Sequence, residues 1–146
     1  RILSLRYRFH VAMAGALGIG GDLAVWTPQE LEEARDLIAV YKRVRPTIQN
    51  GLLYRLRLPR AGGAAASQYV ARDGSETVVF VWGHSQQFGE TQVPLPLCGL
   101  EKDMHYADSL NGAIYSGAYL AQKGLPVNLV GDFDSRMVHL VRIAPR

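Results

Sequence analysis

The sequence predicts an α+β chain in which the closing strand and helix of one domain lead into a whole antiparallel β-sandwich. Three observations carry this. A short apolar run at residues 9–13 (FHVAM) leads into a cluster of glycines. A capped amphipathic helix follows from Thr27. Beyond Asn50-Gly51 the apolar period changes from 3.6 to 2, which is a change from helix to strand. That composition shift, near residues 47–51, divides the chain into residues 1–46 and residues 47–146.

Residues 9–13 are apolar on both faces, as in a central parallel strand. Gly15, Gly18, Gly20 and Gly21 then rule out a continuing regular element. Thr27-Pro28-Gln29-Glu30 reads as a helix start: Thr27 as N-cap, Pro28 at the first helical position, and Glu30 closing a capping box. Leu31, Ala34, Ile38 and Tyr41 recur at helical spacing, with Leu37 and Val44 widening the stripe. Glu30, Glu32 and Glu33 load the start, and Lys42, Arg43 and Arg45 the end, as the helix dipole favours. Pro46 is expected to stop this helix, because the residue before a proline is pushed out of the α region.

Strands are expected at residues 52–58, 67–71, 77–82, 91–97, 104–107, 125–130 and 137–143, with a small loop at 61–66. Turn signals separate them at Asp73-Gly74, Gly89, Gly99, Asn111-Gly112, Gly124 and Gly131-Asp132. Short strands at this spacing describe a sandwich.

Composition narrows the function classes. The chain has 146 residues, 48% hydrophobic and 20% charged, with net charge +3 and pI near 9.2. The basic residues are scattered apart from Lys42-Arg43-Val44-Arg45 and Arg55-Leu56-Arg57. No basic stripe is interleaved with aromatics, so nucleic acid is not an expected partner. The longest apolar stretch, residues 11–17, is far short of the roughly 20 residues that span a bilayer, so no membrane is expected. A single cysteine, Cys98, excludes an internal disulfide and favours a reducing, cytoplasmic setting.

The chemistry-bearing residues form no familiar constellation. The glycine run lacks both dinucleotide-binding spacing and a P-loop Lys-Ser/Thr. Its expected role is a tight loop whose backbone passes close to other elements. His10, His84, His105 and His139 are far apart and form no metal-ligand pair; His10 reads as a buried or edge hydrogen-bonded histidine. Ser116 reads as a turn serine. Asp22, Asp73, Asp103, Asp108, Asp132 and Asp134 fall in expected turns, where Asp bonds its local backbone. Asp22 also follows the C-terminal end of a parallel strand, where barrel enzymes place their chemistry, yet one carboxylate does not make a glycosidase. Trp26 and Trp82 could stack on sugars or fill a core. No catalytic, cofactor-binding or metal-binding residue is assigned, and no cofactor is expected.

The stretch SLRYRFHVAMAGALGIGGDL, continued by WTPQELEEARDLIAVYKRVRPTIQNGLLYRL, resembles the C-terminal part of family-36 glycoside hydrolases, the bacterial-type α-galactosidases. The likeness continues through Gln68-Tyr69-Val70, Leu97-Cys98-Gly99-Leu100 and Tyr115-Ser116-Gly117 to Gly124-Leu125. It implies that residues 1–46 are the last strand and helix of a (β/α)8 catalytic barrel and residues 47–146 a C-terminal β domain. It implies a retaining α-galactosidase whose nucleophile and acid/base both lie upstream; Glu101-Lys102-Asp103 only imitates the family's Lys-x-Asp text. The expected partners are the rest of that barrel and, for the parent protein, an α-galactoside. Two other readings stand beside it. One is a stand-alone carbohydrate-binding sandwich using Trp82, Tyr69 or Tyr106; the other is a scaffold module without a ligand. The apolar strand at 9–13, cut from its neighbours, would also expose edges that recruit another copy, so a homo-oligomer is expected.

Overall fold

A computed structural model describes residues 3–59, 63–86 and 94–144. It opens with two helices. The first, α1 (Leu5–Met13), is capped by Ser4, whose side chain accepts from the Tyr7 amide. The expected strand at residues 9–13 is therefore a helix. Leu5, Phe9 and Met13, four apart and all buried, form one helical stripe. An apolar run of five residues fits either element, and here packing decides. Phe9 and Met13 are covered within the chain, so the open strand edge behind the homo-oligomer expectation does not exist.

The second helix, α2 (Pro28–Asn50), starts as expected, with Thr27 and Glu30 exchanging both capping-box hydrogen bonds. It does not stop at Pro46, which lies inside it. Proline removes one backbone donor, yet Val44, Thr47 and Ile48 around it are buried, and the Thr47 hydroxyl hydrogen-bonds Glu76. That burial and side-chain bond hold the final turn in helical register past the proline. Ala34, Tyr41, Val44 and Ile48 make the buried stripe, while Leu31, expected in it, is exposed.

The chain then builds β1 (Leu52–Arg57), β2 (Ala64–Val70), β3 (Glu76–Gly83), β4 (His105–Asp108), β5 (Ile114–Ser116), a short α3 (Gly117–Gln122) and β6 (Ser135–Ile143). The described strands form one six-stranded sheet in the order β1-β2-β3-β6-β4-β5, antiparallel at each pairing. The sandwich expectation is thus corrected to a single sheet with unlike layers on its two faces. On one side α1 and α2 pack against Tyr69, Val78, Phe80 and Met137. On the other, Ala66, Val79, Val81, Tyr106 and Leu140 meet Leu95, Leu97, Leu120, Leu125 and Leu129 from α3 and the loops. β3 is buried on both faces, which is why residues 78–82 run continuously apolar.

Several boundaries differ from expectation. Residues 125–130 contribute only a bridge between Leu125 and Leu95. The expected strand at 91–97 and turn at Gly89 lie partly or wholly outside the described residues. Residues 64–66, read as loop, begin β2. Ser116 is not a turn residue but the N-cap of α3, accepting from the Tyr119 amide at 3.1 Å. Buried Gln68 ties the loop layer to the sheet: its amide nitrogen donates to Thr77 Oγ1 and the Cys98 carbonyl, and its oxygen accepts from the Cys98 amide.

Two substitutions test this architecture. Thr27→Ala should destabilise the chain by about 0.5–2 kcal/mol through loss of the α2 cap, read as a lower denaturant midpoint. Gly117 is a closer fit, because a Cβ there would lie 1.9 Å from the Glu101 carbonyl oxygen. Gly117→Ala should therefore cost about 1–3 kcal/mol or more, at the upper end of the Thr27→Ala range or above it, since the Glu101–Lys102 backbone must move. An unchanged midpoint for the glycine variant would mean that α3 does not dock as described.

Candidate functional site

Two regions gather polar and aromatic side chains. The first joins α2 to the sheet. Glu76 on β3 accepts from the Thr47 hydroxyl with one oxygen, and its other oxygen lies 2.7 Å from His139 Nε2. The opposite ring nitrogen, Nδ1, lies 3.0 Å from Ser109 Oγ. Strand register explains the meeting: Glu76 pairs with Val141, so His139 two residues back projects from the same face. Ser109, just after β4, is held beside it by a hydrogen bond from its amide to the His139 carbonyl.

A hydroxyl, an imidazole and a carboxylate in line resemble a hydrolase relay, but the nearby amides of Ser109, Leu110, Gly112 and Ala113 are already engaged. An acyl-transfer site needs free amides aimed at the developing oxyanion. The amides of Ser109, Leu110, Gly112 and Ala113 all donate elsewhere, to His139, Asp108 (twice) and Asn111. The line Ser109–His139–Glu76–Thr47 therefore serves as a clamp between β4, β6, β3 and α2. Sequence reading had no access to it, because the four residues come from four separated segments and share no motif.

The second region surrounds α1. His10 is buried, as expected, although on a helix rather than a strand, with Nδ1 2.8 Å from Ser135 Oγ and its ring edge-on to Phe80. Burial first, then the positive charges of Arg6 and Arg136, lower its pKa from the ordinary 6.5 to about 4, against a smaller opposing effect of Asp134. Tyr69 and Tyr41 pin the segment that follows α1. Tyr69 donates to the Ala14 carbonyl at 2.5 Å, while Tyr41 donates to the Gly15 carbonyl and accepts from the Leu17 amide.

The remaining sequence candidates are dispersed. Asp22 caps the single 3-10 turn Leu23–Val25, accepting from the Ala24 amide. Asp73 accepts from the Ser75 amide and hydroxyl, which together hold its carboxyl below the usual range. Asp132 and Asp134 do not pair: the first accepts from Gln86, the second from Val130, Ser135 and Arg136. Asp103 is exposed in a turn, and its neighbour Glu101 pairs with Arg142 at 2.7 Å. His84 sits edge-on to Phe133, while His105 lies on β4 opposite Ser116 and Ile143. Among the described residues no group of three His, Cys, Asp or Glu is arranged to hold a metal ion.

Tyr69 and Tyr106 lie inside the two cores and cannot serve as sugar platforms, and Trp82 is half-buried, stacked on Phe80. Of the glycine run, Gly15 does lie close to another element, its carbonyl accepting from Tyr41 on α2, but among the described residues a Cβ at Gly15, Gly18, Gly20 or Gly21 would meet nothing within 4 Å, so close packing does not demand glycine there.

A sheet clamped to a helical layer, with carboxylates engaged in turns, caps and ion pairs, makes up this domain. Comparison with known proteins gives that domain its place. Residues 64–140 match the model of the glycosyl hydrolase family 36 C-terminal domain, and the chain belongs to that family. It is 34% identical over 141 residues to probable α-galactosidase C of Aspergillus flavus, covering 96% of this chain and 19% of that protein. It is likewise 34% identical over 144 residues to α-galactosidase AgaA of Geobacillus stearothermophilus, again covering 96% of this chain and 19% of the relative. Its backbone superimposes on the crystal structure of the GH36 α-galactosidase AgaB of the same organism with a TM-score of 0.91 at 33% identity, covering 98% of this chain and 20% of that one. The chain thus spans about a fifth of the length of the relatives it matches.

His10 gives this region a measurable signature. Between pH 6.5 and about 4 the unfolded chain binds the proton and the folded chain does not. This contribution is therefore intact above pH 6.5 and is lost as pH falls through that window. The loss should amount to about 3 kcal/mol. Denaturant midpoints of the natural chain and His10→Gln across this range should diverge, the variant losing less. Parallel curves would show that His10 is not held neutral.

Proposed function

We propose that this chain is the C-terminal part of a retaining α-galactosidase that releases terminal α-galactose from oligosaccharides. In this reading both catalytic carboxylates lie in the preceding part of the polypeptide. The observation that carries it is the near-complete coverage of this chain, 96%, by proteins named α-galactosidases of which it makes up 19%. The uses of its own carboxylates support the same view. Retaining hydrolysis needs two carboxyl groups about 5–5.5 Å apart across the glycosidic bond. Here Glu30 belongs to a capping box, Glu76 to the helix clamp, Glu101 to an ion pair, Asp22, Asp73, Asp108 and Asp134 to local backbone bonding, and Asp132 to the distant Gln86 amide.

The proposal extends to organisation. Residues 1–46 complete the catalytic body and residues 47–146 form the C-terminal β domain. The apolar layer shared by α1, α2 and the sheet then holds the two together. A stand-alone sugar-binding module is not favoured, because two of its three aromatic candidates are buried.

The test is activity on an aryl α-galactoside. The 146-residue chain should give no turnover above buffer, and the full-length polypeptide should hydrolyse the substrate with retention at the anomeric carbon. Inversion, or an inactive full-length protein, would overturn the reading; so would turnover by the short chain that Asp22→Asn abolishes.

A further inference from the structure

The outer end of the Ser109–His139–Glu76–Thr47 line carries a chemistry that clamping does not use. Ser109 is exposed, and among the described residues its Oγ has a single hydrogen-bond partner, His139 Nδ1 at 3.0 Å. The imidazole behind it is shielded, with its side chain only 12% exposed. The approach to the hydroxyl is open: Leu110 is well exposed, and a Cβ at Gly112 would meet nothing within 4 Å.

The hydrogen-bond inventory fixes which atom donates. Glu76 accepts from the Thr47 hydroxyl on one oxygen and faces His139 Nε2 with the other. A carboxylate offers acceptors only, so in the neutral ring Nε2 carries the proton and Nδ1 keeps its lone pair. The Ser109 hydroxyl then donates to Nδ1. A hydroxyl directed at a base that a third group orients is an activated nucleophile.

Other serines lack part of this arrangement. Ser135 also meets an imidazole, His10, at 2.8 Å, but it is buried. The Ser75 hydroxyl is accessible yet donates to the Asp73 carboxylate, with no imidazole beside it. Ser116 spends its oxygen on the α3 cap.

The same surroundings limit the reaction. The amides of Ser109, Leu110, Gly112 and Ala113 are engaged, so a tetrahedral oxyanion formed here finds no donor among them. Only an acyl group with a good leaving group can then be transferred, and the ester left on Ser109 persists.

We propose that Ser109 is an acylation site that accepts one acyl group from an activated ester, with His139 as general base and Glu76 holding the ring. Ser109 Oγ attacks the carbonyl carbon while its proton passes to His139 Nδ1. The adduct collapses by breaking the bond to the leaving oxygen, which departs with the electron pair and takes the proton from Nδ1. Acyl-Ser109 and a free phenol or alcohol are the products. This assignment does not depend on the galactosidase reading above.

Treating the full-length polypeptide with para-nitrophenyl acetate and mapping the acetyl groups by peptide mass spectrometry tests it. Ser109 should acetylate about 100-fold faster than Ser75, the lower end of what a positioned base contributes. In denaturant the two serines should label alike. Ser109→Ala should remove one equivalent of rapidly released nitrophenol, and His139→Gln should slow Ser109 to the rate of Ser75. Equal labelling of the two serines in the folded natural protein would overturn the proposal, whether or not the His139 variant folds. So would an unchanged Ser109 rate in His139→Gln, or acetylation of His139 with Ser109 unlabelled. Continuous nitrophenol release that Ser109→Ala abolishes would also overturn it, since the site would then be an esterase rather than a single acceptor.

Discussion

The fold depends on β3 being buried on both faces. Val78 and Phe80 point into the helical layer, Val79 and Val81 into the loop layer, and all four are at most 4% exposed. Each such side chain contributes about 1.5–3 kcal/mol of burial, so this one strand supplies a large share of the driving force on both sides of the sheet. It also fixes register. A one-residue slip would exchange Phe80 with Val79 and send a large ring into a layer shaped for a smaller side chain.

Once β3 is placed, the two layers follow different physics. The helical side is closed by long elements whose stripes match the sheet, and polar pins sit at its margins: Tyr69 and Tyr41 on the chain after α1, Thr47 and His139 on Glu76, Ser135 on His10. The loop side has no long element. It is closed by single leucines from scattered segments and by Gln68, whose amide satisfies a loop that has no strand partner of its own. A buried glutamine with its bonds made holds such a loop in one place; without them it would be strongly destabilising.

Under the function proposed above, this chain would be a domain that braces a larger body. Many of its carboxylates are engaged in caps, turns and ion pairs, and four of its exposed apolar residues, Ile19, Leu23, Val25 and Leu31, lie on or just before α2.

The sequence by itself determined the elements with local causes. Thr27, Pro28 and Glu30 write the start of α2 in four residues, and Asp73-Gly74 and Asn111-Gly112 write turns, because the groups that satisfy each other are neighbours in the chain. The six-residue alternation of β1 and the apolar run of β3 were legible for the same reason. Only the tertiary structure decided the rest. Residues 9–13 became helix because Phe9 and Met13 find Leu5 beside them on one stripe, and α2 ran past Pro46 because Thr47 and Ile48 were buried on the sheet. The Ser109–His139–Glu76–Thr47 clamp needed four distant segments to meet, and the single sheet replaced a sandwich because leucines in loops covered its second face. Local patterns specify what hydrogen-bonds within a few residues; which face is covered, and by what, depends on partners that only folding brings together.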